Sequence, residues 1–130
     1  MIQDKDFTLR LIRQLTQALE KLLLGKPEES LMQKELDFDS LMKDIFKIDF
    51  NELSLKSKEE IIDIVKERES KDHADYYEML GNVFMFHYRL EGTKDFAEKA
   101  KIFYELYLQI SGIFALPIIN RINELQVVLN

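Results

Sequence analysis

Apolar side chains recur every three or four residues along most of this chain, and strand-like alternation is scarce. That period belongs to amphipathic helices. The first predicted helix runs from Asp4 to Leu24. Phe7, Leu11, Leu15, Ala18 and Leu22 form one stripe, Ile12, Leu19 and Leu23 widen it, and Arg10, Arg13, Gln14, Gln17 and Lys21 fall largely on the other side. Gly25 followed by Pro27 is a stop signal. A second helix is expected from Glu28 to about Phe46, with Leu31, Phe38, Leu41, Met42 and Ile45 apolar and an interruption at Asp37 to Asp39. These two make an N-terminal helix pair over residues 4–47. Ile48, Phe50, Leu53 and Leu55 lack a clear period and read as a packed connection. Ser57 and Glu60 stand at capping-box spacing and open a short helix within 57–70, its broad face made by Ile61, Ile62, Ile64 and Val65.

A central hairpin is expected over 72–111, with helices at 72–91 and 94–111 separated at Gly92. Its second helix carries two apolar lines, Phe96–Ala100–Phe103–Tyr107–Ile110 and Ala97–Tyr104–Leu108. Apolar cover on more than one side places this hairpin at the centre of the domain. A last helix, 117–129, presents Ile118, Ile122, Leu125 and Leu129, with Pro117 in its first turn, where a missing N–H costs nothing. The expectation is a single all-α domain of five to six helices spanning residues 1–130.

Within the hairpin, Tyr77-x2-Leu80-Gly81-x2-Phe84 is followed by Ala100-x3-Tyr104. Gly81 has no Cβ, so a partner helix can approach closely there, and Ala100 is the expected neighbour. The spacing resembles a tetratricopeptide repeat, with Tyr77 where Trp is usual. The segment between the two motifs is about two helical turns longer than in the repeat, and Tyr107 stands where a second small residue belongs. Gly25 to Leu31 is a weaker echo of the repeat's inter-helix turn. In outline the chain also resembles a family of small helical bacterial proteins that begin like Met1-Ile2-Gln3-Asp4 and whose first helix ends like Leu23-Leu24-Gly25-Lys26; no activity is established for that family. The repeat resemblance implies an antiparallel TPR-like array and a partner-binding face for protein or peptide at Asp75, Glu78, Asn82, Met85 and Phe86. Asn82 directly after Gly81 matches the asparagine with which some repeats clamp a peptide carboxylate. Glu78 occupies the cation's place in that clamp and would repel an anionic tail.

Charge and chemistry change this picture little. The 130 residues include 24 acidic and 18 basic side chains, a net charge of −6, which disfavours nonspecific nucleic-acid binding. The absence of cysteine removes disulfide, zinc-thiolate and thiol-nucleophile readings. No apolar run approaches the ~18 residues of a membrane span, and the N-terminus lacks a signal-peptide pattern, so a cytoplasmic protein is expected. The only histidines, His73 and His87, lie fourteen apart, about 21 Å along one helix. His87 and Glu91, four apart, are a two-ligand pattern at most. Glu35, Asp37 and Asp39 lack calcium-loop spacing and its glycine. No phosphate loop, His-Glu-x-x-His helix or nucleophile elbow occurs. The sequence reading is a noncatalytic protein-interaction module without cofactor or metal. The alternatives are a homo-oligomeric structural protein, motivated by apolar cover on the last two helices, and, last, a small-ligand or metal-dependent enzyme using His87 and Glu91.

Overall fold

The computed structural model describes residues 4–25 and 38–130. Among these residues it contains seven α-helices and no strand. They are α1 (Asp4–Leu23), α2 (Phe38–Phe46), α3 (Phe50–Ser54), α4 (Lys58–Lys66), α5 (His73–Glu91), α6 (Lys94–Ser111) and α7 (Leu116–Leu129), with a 3-10 turn at Ser70–Asp72 leading into α5. The expected start of the second helix, Glu28 to Asp37, and Leu31 with it, lies outside the described residues, as do Glu35 and Pro27.

Local signals account for most boundaries. The Ser57 hydroxyl accepts from the Glu60 N–H at 3.1 Å, and the Glu60 carboxylate accepts from the Ser57 N–H at 2.9 Å, closing the capping box that starts α4. α5 and α6 end at left-handed Gly92 and Gly112, whose N–H groups return to Tyr88 and Leu108. One connection is corrected. Residues 50–54 form α3 rather than an irregular link, because Asp49 accepts from the Glu52 N–H at 2.9 Å and Phe50 and Leu53 bury inward. α2 ends at Lys47, a non-glycine residue at φ +66.

α5 is the centre. Every residue from Met79 to Met85 is buried, so the helix is enclosed on all sides. α6 runs antiparallel to it: Tyr77 meets Phe103, and Phe84 meets Phe96. α1 packs on another side and runs parallel, since Arg13, Thr16 and Leu23 pair in order with Asp75, Asn82 and Arg89. α7 lies against α6, and α2 against α1. The α1 stripe is buried at Leu11, Ile12, Leu15, Leu19 and Leu23, whereas Phe7 is half exposed.

Gly81 is buried, but its close neighbour is Tyr104, not Ala100. A Cβ built on it would lie 2.6 Å from Tyr104 Cε1 and nearer still to Cδ1. Ala100 is nevertheless fully buried in the same core. No helix among the described residues is long and apolar enough to cross a membrane.

Candidate functional site

The five residues expected to form one recognition face do not share an open surface. Asn82 and Met85 have no solvent exposure, because the α5 face that carries them belongs to the core. α1 lies over Asn82. Phe86 is partly buried and packs on Phe38, with ring centroids 5.6 Å apart. Only Asp75 and Glu78 reach a cleft, about 350 Å³ in volume, between α1 and α5. Arg13, Thr16, Gln17, Glu20 and Lys21 line its other side. Burial raises the Glu78 carboxyl above its ordinary pKa, and the neighbouring Glu20 and Asp75 charges add to the shift. Arg13 and Asp75 approach to 3.7 Å at the exposed mouth, a contact worth little in water.

Behind the cleft, four helices contribute one polar side chain each to a buried cluster. Arg121 of α7 is 4% exposed and holds Glu20 of α1 with two bonds, 2.8 and 2.7 Å. Asn82 of α5 donates to the Thr16 carbonyl at 3.1 Å and to Glu20 at 3.4 Å. Its carbonyl accepts from the Tyr104 hydroxyl of α6 at 2.7 Å and from Arg121 at 3.4 Å. Both donors and both lone pairs of the amide are thus engaged. The Arg121 guanidinium lies 6.0 Å from the Tyr104 ring centroid. Burial pushes the Tyr104 phenol far up, so it stays a neutral donor. Nearby, Arg89 donates to the Leu23 carbonyl at 2.8 Å and to Glu124 at 3.1 Å, tying α5 to the end of α1 and to α7. With its groups turned on one another, the cluster acts as a joint between helices.

Each histidine is engaged within the fold. His73 donates to the Arg68 carbonyl at 2.9 Å. His87 stacks on Phe50 at 3.8 Å and 11°, with Glu91 3.8 Å from its Nδ1. Burial holds its pKa below the ordinary value, against Glu91 and Asp39. Among the described residues no three His, Cys, Asp or Glu side chains are grouped to hold a metal. Lys99, unremarked in the sequence, is buried and donates to the Ser54 carbonyl at 2.8 Å and to Asp95 at 2.7 Å, fastening α3 to α6.

Among the described residues, exposed apolar side chains crowd together elsewhere, at the α6–α7 corner and along α7. Ile110, Ile113, Phe114 and Leu116 face solvent within seven residues, Phe114 being 79% exposed, and Val127 further along α7 is 76% exposed. The sequence carried a signal for it. From Gly112 to Asn130 the only charged side chains are Arg121 and Glu124, of 18 basic and 24 acidic in the chain. No protein-family model, curated protein or solved structure matches the chain.

Proposed function

We propose that this chain is a noncatalytic protein-interaction module whose contact surface is the α6–α7 corner together with the outer side of α7. One observation carries the reading: Ile110, Ile113, Phe114 and Leu116 stand in solvent in a single short stretch. Apolar side chains exposed together in one place, unlike ones scattered singly, are the feature by which interaction surfaces are recognised. Covering a side chain of this size is worth about 1.5–3 kcal/mol. The converging polar groups at the centre support the same reading, since each is engaged by another helix. The test is affinity capture from the host's own lysate with three baits: the wild type, Phe114→Ser with Val127→Ser, and the cleft variant Asp75→Asn with Glu78→Gln. Retention by the wild type and the cleft variant, with loss by the corner variant, is expected. Equal recovery by all three baits overturns the reading.

A further inference from the structure

We infer that the partner of this surface is a second copy of the chain, docked across a twofold axis through the outer side of α7; the inference rests on the interaction reading above. α7 has two opposed stripes. Ile118, Arg121 and Leu125 face inward and are buried. Leu116, Asn120, Asn123 and Val127, at four- and three-residue spacing, are exposed on the side turned away from Ile118 and Leu125, and Leu116 and Asn120 also border a cleft with Leu24 and Arg89. That outer stripe carries no charge. The two charged residues of the helix are both held within the chain, Arg121 by Glu20 and Glu124 by Arg89.

Charge selects the occupant. Each copy carries −6, so two copies repel wherever their acidic faces meet. The outer stripe of α7, having no charged side chain, adds nothing to that repulsion. A surface shaped for a basic partner would present unpaired carboxylates, and this one presents none on its stripe. A twofold interface must also match itself, residue for residue. Asn120 and Asn123 meet that condition, because an amide is both donor and acceptor and can pair with its own kind. Asn123 lies next to the midpoint of the fourteen-residue helix, so antiparallel pairing of two α7 helices brings it close to its copy. Fourteen residues span about 21 Å, which with the Ile113–Phe114 corner makes a contact at or below the small end of stable interfaces, roughly 1,200 Å² in total. The dimer is therefore weak and concentration-dependent.

Sedimentation velocity from about 5 to 500 μM tests this, an interval wide enough to bracket a weak interface of this size. The wild type is expected to pass from the mass of one 15.5 kDa chain to that of two. Added salt should strengthen the association by screening the repulsion. Asn123→Asp and Asn123→Lys, both on an exposed position, should each weaken it at least tenfold. Their equimolar mixture should restore it, an outcome that only a face meeting itself produces. A wild type that stays monomeric throughout, or an Asn123→Asp variant that associates unchanged, overturns the inference. Monomeric behaviour combined with corner-dependent capture of a different protein refutes the second copy and leaves the interaction reading standing. Monomeric behaviour without corner-dependent capture refutes both.

Discussion

A methyl group added at Gly81 is expected to destabilise the protein only while Tyr104 is present. The added Cβ would stand 2.6 Å from Tyr104 Cε1 and 3.0 Å from Cγ. Carbon atoms in contact prefer about 3.5–4.0 Å, so the ring must retreat by roughly 1 Å. It is pinned at its far end, where the hydroxyl donates to Asn82 at 2.7 Å and Asn82 is itself fully engaged. Overpacking a filled core costs about 1–3 kcal/mol. Replacing a mid-helix glycine by alanine returns about 1 kcal/mol. A pinned ring puts the cost in the upper half of its range, leaving a net loss of about 1–2 kcal/mol for Gly81→Ala. With an unfolding entropy of about 2.1 cal/mol/K per residue, that lowers Tm by about 4–8 °C. Tyr104→Ala removes the ring at a cost of about 3–5 kcal/mol. On that background the propensity gain stands alone, and Gly81→Ala should raise Tm by about 4 °C. Thermal unfolding of all four proteins by circular dichroism reads the cycle. If Gly81→Ala lowers Tm equally with and without the ring, close approach of Tyr104 is not what holds glycine at this position.

Arg121→Met leaves the Glu20 carboxylate beside Asn82 without its cation and should cost about 2–4 kcal/mol in urea unfolding, while the Glu20→Met, Arg121→Met double variant should fall within about 1 kcal/mol of wild type. Equal losses in the single and double variants would refute the pair account. Lys47→Gly relieves a left-handed backbone that costs a non-glycine residue about 1–2 kcal/mol. Part of this is lost to the freer unfolded chain, so a rise in Tm of about 2–4 °C is expected, and a fall would refute the strain. His87 titrates below its unfolded value because burial disfavours the cation. The unfolded chain therefore binds a proton first as the pH falls through about 6.5, and stability declines from there to the lower folded-state pKa and then levels off. His87→Phe keeps a ring against Phe50 and should flatten that decline; a pH profile of Tm identical to wild type would refute it. Glu78 has the opposite sign. Its raised carboxyl pKa means that stability grows as the pH falls through the folded-state value, so Glu78→Gln should raise Tm at pH 7, with the difference shrinking toward pH 4.

What could be read before the fold was known follows the range of each signal. Helix ends set by local chemistry were legible: the Ser57–Glu60 box, Gly92, Gly112 and Pro117 all act within a few residues of themselves. α3 was not, because five residues are too few to display a period, although Asp49 and Glu52 already stood at cap spacing. The resemblance to a repeat implies a surface position for Asn82, and the structure buries it. Its burial depends on α1, more than sixty residues earlier, and on the Thr16 carbonyl that α1 delivers. A trace of this was present: Asn82 interrupts a run of otherwise apolar or small residues from Met79 to Met85. Arg121 left a similar trace, three residues after Ile118 and four before Leu125, on the stripe that had to face inward. A polar side chain on an apolar stripe marks a buried partnership, but the partner, Glu20, is one hundred and one residues away in sequence and no local pattern names it.

The same arginine connects the core to the surface. α7 buries Ile118, Arg121 and Leu125 and packs Ile122 and Leu129 partly against the same core, but apolar contact is non-directional and by itself fixes the rotation of a helix poorly. A bidentate guanidinium–carboxylate pair is directional: both bonds form only when Arg121 points at Glu20 in one orientation. Replacing such a pair by apolar residues is often neutral for stability, so stability alone does not account for it. Rotation does. A turn of 100°, one residue along the helix, would carry Arg121 out of the cluster and replace Leu116, Asn120, Asn123 and Val127 by a different set on the outer side. The buried joint therefore determines which residues the last helix shows to solvent. Arg89, holding both the Leu23 carbonyl and Glu124, fixes the same rotation from a second point and keeps the remaining charge of α7 off its outer stripe.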